Sequence, residues 1–172
     1  MRLPHAVSGL LLLAVALGGA SPTGDGPTAW RWPLDPHVVA RGYEAPATPY
    51  SAGHRGIDLG ASPDRPVFAP ADGVVSFAGV VVDRPVVTVS LPGGVLVSVE
   101  PVRSSVQAGQ RVSAGDVLGV VGTDGHCAGH CLHLGVRLHG AYVSPMLFLG
   151  GIPRAVLLPL ERPSRAGAQA RG

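Results

Sequence analysis

Short runs of valine, cut at intervals by glycine and proline, dominate the middle of the chain. Val67–Phe68, Gly73–Val82, Val86–Leu91, Val95–Val99 and Val117–Val121 are bounded by Pro-Ala-Asp-Gly, Asp-Arg-Pro, Pro-Gly-Gly and Gly-Thr-Asp-Gly. Such β-branched runs between turn formers read as strands at short spacing. No apolar stripe of 3.6-residue period reaches helical length. Cys131–Leu138 alternates strictly, with Leu132, Leu134, Val136 and Leu138 on one face and Cys131, His133, Gly135 and Arg137 on the other. The pattern predicts an all-β domain over 30–150: a small antiparallel barrel or sandwich of Gly-punctuated hairpins with a groove. Pro66–Val74 and Val112–Gly119 echo one another weakly, each setting a small-residue turn between strands, as in a duplicated hybrid motif.

The ends differ from this body. Arg2, the apolar run Gly9–Leu17 and the small residues Gly18, Gly19 and Ala20 make 1–20 a predicted secretory signal, too short for an ordinary membrane span. Residues 21–29 read as a linker and 151–172 as a poorly ordered tail. A secreted protein without a stable membrane span is expected.

The 172 residues carry a net charge of only +2, which argues against nucleic-acid binding. The 13 positive side chains are all Arg, and neither Lys nor Asn occurs, which fits a GC-rich bacterial genome. The missing lysine excludes Schiff-base and P-loop chemistry, and with it the lipoyl and biotinyl carriers that use similar hairpins.

Candidate chemistry lies in two short segments. In Gly53-His-Arg-Gly-Ile-Asp-Leu-Gly60, an extended backbone puts His54, Gly56 and Asp58 on one side, with no side chain between the imidazole and the carboxylate. His133 lies on the polar face of the second segment and supplies a third donor. A His₂Asp set with one open position is a catalytic type of Zn²⁺ site. Trp30 and Trp32, flanking Arg31, suit either packing or a groove wall.

Gly53–Leu59 resembles the His-x-x-x-Asp motif of the lysostaphin-type (LytM-like) zinc endopeptidases, and Leu132–Arg137 resembles the strand of their His-x-His motif. Pro66–Val75, Val106–Gly119, Trp32-Pro33 and Tyr142–Pro145 are similar to the connecting hairpins and edges of that family. The resemblance implies a groove that binds zinc at His54, Asp58 and His133 and cuts peptides of bacterial peptidoglycan. It also implies a second possibility, since some relatives lack the chemistry and instead regulate a partner cell-wall hydrolase.

The family carries two further histidines beside the metal. Here one position is Cys131. The other, nine residues before Gly109, is Glu100. Glu100 is either a general base or a strand end. Cys131 is either paired with Cys127, as expected of two cysteines in a secreted chain, or a free thiol, or a zinc ligand. His126 and His130 flank that loop, as solvent-exposed residues or as stand-ins for a lost imidazole.

Overall fold

The computed structural model describes residues 30–48 and 50–150. The predicted signal, linker and tail lie outside the described residues.

Eleven strands run in chain order: β1 (Val39–Arg41), β2 (Gly56–Gly60), β3 (Pro66–Phe68), β4 (Gly73–Val81), β5 (Arg84–Leu91), β6 (Val95–Glu100), β7 (Val102–Ser104), β8 (Arg111–Val112), β9 (Val117–Val121), β10 (Cys131–Leu138) and β11 (Ala141–Val143). A four-residue helix, Met146–Leu149, is the α-helix of the described residues. Each predicted valine run is a strand, with its ends within two residues of those expected.

The strands form an eight-stranded sheet, ordered β1-β2-β10-β6-β5-β4-β8 with β11 also pairing β10, and a three-stranded sheet, β3-β9-β7. All pairings are antiparallel. The large sheet does not close on itself, so the barrel alternative gives way to two open sheets. The echoing segments meet: Ala69 N donates to the Asp116 carbonyl, Gly115 N donates to the Ala69 carbonyl, and Ala114 N donates to Asp72 Oδ1 at 2.7 Å.

The apolar face of every central strand points into one core. Leu132, Leu134 and Val136 of β10, Val97 and Val99 of β6, Val87 and Val89 of β5, and Ile57 and Leu59 of β2 are sealed from solvent with Leu34 and Leu118. The opposite face of β10, β6 and β5 carries His133, Arg137, Leu96, Ser98, Glu100 and Thr88, which stay partly accessible. Strict alternation thus makes one sheet both core wall and groove floor. Trp30 stacks on Phe148 with ring centroids 4.3 Å apart, and Trp32 on His37 at 3.9 Å. Both tryptophans pack against the core, which favours the packing alternative and gives His37 a partner.

Leu134 lies between β2 and β6 at 0% exposure. Leu134→Ala is expected to cost about 2–5 kcal/mol in denaturant unfolding, against a smaller loss for half-buried Leu96→Ala on the groove face.

Candidate metal centre

Strands β2 and β10 set Asp58 opposite His133 and Gly56 opposite Gly135. His54 precedes β2 in a bridge with Glu44 and, like Asp58, is buried. His54 Nε2 lies 3.1 Å from Asp58 Oδ1 and 3.2 Å from His133 Nδ1, and the latter two atoms are 2.7 Å apart. An ion held tetrahedrally at ~2.0–2.2 Å separates its ligand atoms by about 3.4 Å, so this triangle of donors is tighter than one coordination face by about 0.2–0.7 Å and compatible with it.

The tautomers sharpen the point. His54 Nδ1 is 2.6 Å from the carbonyl oxygen of Gly42. A carbonyl only accepts, so Nδ1 carries the proton and donates. In a neutral ring, Nε2 then presents a bare lone pair to a carboxylate oxygen and to a second ring nitrogen. A cation at the centre, or a proton on His133 Nδ1, satisfies that lone pair. A backbone carbonyl that fixes the outer nitrogen is also how metal-ligating histidines are oriented.

Burial on its own would raise the pKa of Asp58. Hydrogen bonds from His133 and His126, with the charges of His133 and His54, outweigh it and hold the carboxyl at about 2. Asp58 is therefore an anion throughout the physiological range.

Gly56 makes the triangle possible. A Cβ there would meet the Leu134 carbonyl oxygen and would stand 2.5 Å from His133 Nε2. The His133 ring occupies the space that any other residue would fill.

A 3₁₀ turn, Gly125–Cys127, follows β9 and brings in a fourth donor. His126 Nε2 lies 3.3 Å from Asp58 Oδ1, with its ring edge-on to His133. The donor atoms of His54, Asp58, His126 and His133 all lie within 4.8 Å of one another. His126 is exposed, as expected of a loop residue, and its Nε2 nevertheless reaches Asp58. His130 remains exposed in the loop. A disulfide joins Cys127 and Cys131, with Cα atoms 4.9 Å apart, and ties the turn to β10. Cys131 thus presents neither a free thiol nor a thiolate.

Glu100 ends β6 directly opposite His133. Its carboxylate forms an ion pair with Arg84, Oε1 to Nη1 3.3 Å. The Arg84 stem runs under the turn, where a Cβ on Gly125 would stand 2.7 Å from Arg84 Cγ. Sequence reasoning missed Arg84 and the Gly42 carbonyl. Neither carries a signal in the chain, because both depend on loops folding across the sheet.

Strand register lays the floor out in rows. Glu100, His133 and Asp58 form the first; Thr88, Ser98, Gly135 and Gly56 the second; Ser90, Leu96, Arg137 and Tyr142 the third. Thr88, Ser98 and Gly135 of the second row are small and make the trench of a groove of about 550 Å³ that also reaches Phe77, Val81 and Arg55.

The family model described as Peptidase family M23 matches residues 52–145, more than half of the chain. The chain belongs to peptidase family M23. An "Uncharacterized protein Rv2891" of Mycobacterium tuberculosis is 39% identical over 151 residues, covering 84% of this chain and 61% of its own length. The M23 chain thus spans about three fifths of that relative. "DD-carboxypeptidase/endopeptidase Mpg" of Neisseria meningitidis is 35% identical over 98 residues, covering 54% of this chain and 22% of its own. The crystal structure of a putative peptidase M23 from Pseudomonas aeruginosa superposes with a TM-score of 0.58 at 28% identity, over 75% of this chain and 54% of that one.

Two outcomes test this geometry. Gly56→Ala should lower the melting temperature and weaken zinc affinity at least about tenfold, as changes around metal ligands do. Gly42→Ala, whose Cβ would meet nothing within 4 Å, should change neither. Because the Asp58 pKa is lowered to about 2, its carboxylate stabilises the metal-free protein above its ordinary pKa of ~3.9. That contribution is lost as pH falls through about 2, so Asp58→Asn should flatten the acid-unfolding curve across that window.

Proposed function

We propose that this chain is a secreted zinc metalloendopeptidase that hydrolyses peptide bonds of bacterial peptidoglycan. The observation that carries the reading is the bare Nε2 of His54, turned by the Gly42 carbonyl towards Asp58 Oδ1 and His133 Nδ1. His54, Asp58 and His133 would hold the ion. Two imidazoles and a carboxylate suit Zn²⁺, and zinc there supplies Lewis-acid catalysis. Family membership and the name of the neisserial relative support peptidoglycan peptides as the substrate.

The chain's own groups supply the rest. The trench of Thr88, Ser98 and Gly135 admits an extended peptide beside the first row. Glu100 is the proton acceptor, oriented by Arg84. His126 Nε2, on the open side of the triangle, provides an imidazole that Cys131 does not. The disulfide fits an oxidising, extracytoplasmic compartment and export by the segment 1–20. No helix of the described residues is long and apolar enough to cross a membrane. Residues 30–150 form the domain that acts, between the linker 21–29 and the tail 151–172.

A second reading is a module that keeps the metal or binds peptide in the groove and regulates a partner cell-wall hydrolase. Cys131 locked in a disulfide and Glu100 engaged by Arg84 favour it, since both family imidazole positions are then filled by other chemistry.

Metal analysis with a peptidoglycan-digestion assay separates the two. The protein should carry about one Zn²⁺ per chain, lost in His54→Ala and His133→Ala. Wild type should release soluble peptide fragments, and Glu100→Gln should slow that release by ~10²–10⁴ with zinc content unchanged. Metal-loaded wild type without turnover would establish the regulatory reading. Metal-free wild type, carefully prepared, would defeat both zinc roles.

A further inference from the structure

The third row of the groove floor sets an uncompensated positive charge at a fixed distance from the donor triangle. Arg137 lies four residues along β10 from His133, about 13 Å at ~3.3 Å per strand residue. Its guanidinium rests over the Tyr142 ring, 4.4 Å from the centroid, and donates to the Tyr142 hydroxyl. Tyr142 is itself anchored, because Tyr43 Oη donates to its carbonyl at 3.0 Å. The ring therefore fixes the guanidinium without neutralising it.

Among the described residues Arg137 forms no ion pair, whereas Arg84, the arginine beside the first row, is matched by Glu100. Arg55 stands 5.9 Å from the same Tyr142 ring and adds a second positive charge to that end of the groove. Between His133 and Arg137 lies Gly135, which leaves the way open from one to the other. A planar guanidinium held at the rim of an open trench is a receptor for a carboxylate, which it binds through two parallel N–H···O bonds.

We propose that Arg137 is a specificity-determining residue of the groove, selecting peptides with a free carboxylate near the bond opened. This rests on the hydrolase reading for which bond is opened, but the carboxylate site itself needs only the groove. An extended peptide advances ~3.3–3.6 Å per residue, so a reach of about 13 Å places the carboxylate within about four residues of the donor triangle.

Two synthetic peptides of one peptidoglycan-stem sequence test it: one with free side-chain carboxylates, the other with carboxamides there. Binding to the full-length protein is measured by calorimetry at low and high salt, and cleavage of both is followed in parallel. The acid peptide should bind at least tenfold tighter, with the advantage shrinking as salt rises. Arg137→Gln should abolish the preference. Arg137→Lys should keep part of it, because the charge remains while the bidentate geometry is lost. Arg103→Gln, far from the groove, should leave it intact. Equal binding of the two peptides, binding of neither, or an undiminished preference in folded Arg137→Gln overturns the proposal. If the acid peptide is selected but not cut, the carboxylate site stands and the hydrolase reading falls; if both are bound and cut alike, the reverse holds.

Discussion

The structure turns on the close approach of two strands where glycine faces glycine. Gly56 of β2 lies opposite Gly135 of β10, one step from the pair Asp58 and His133. Because Gly56 carries no side chain, the His133 ring lies down over β2 and delivers Nδ1 to Asp58 instead of standing clear of the sheet. The approach of His133 Nδ1 to Asp58 follows from that one vacancy, whereas the tautomer of His54 is set by the Gly42 carbonyl. The cost is a buried anion, tolerated because His133 and His126 hydrogen-bond to it and His54 lies beside it.

Around this centre the chain uses local covalent and electrostatic devices where a larger domain would use bulk. The disulfide spans four positions and ties the turn bearing His126 to the start of β10. So short a loop gains little from closure entropy, so its value is positional. The Arg84–Glu100 pair, pinned beneath the same turn, links β5, β6 and the loop at a single point. The two devices meet from opposite sides of the first row.

The predicted strands survive folding nearly intact, because a period-2 alternation and its turn residues are local properties that the sheet only has to honour. Cys131–Leu138 is a strand from end to end, and its apolar and polar faces point as the alternation requires. His54, Asp58 and His133 meet because two such strands, each legible alone, are neighbours. The open sheets were harder to read, since a barrel and a sandwich share one pattern of alternation and differ only in whether the last strands meet.

What the sequence determined by itself was the strand content, the inward and outward faces, and which residue types had chemistry to offer. Contact across loops was set by packing: His126 turned onto Asp58, Glu100 held by Arg84, and the Gly42 carbonyl set against His54. Periodicity dictates which way a strand residue points. It is silent about a turn, whose path depends on the surfaces that happen to lie beneath it.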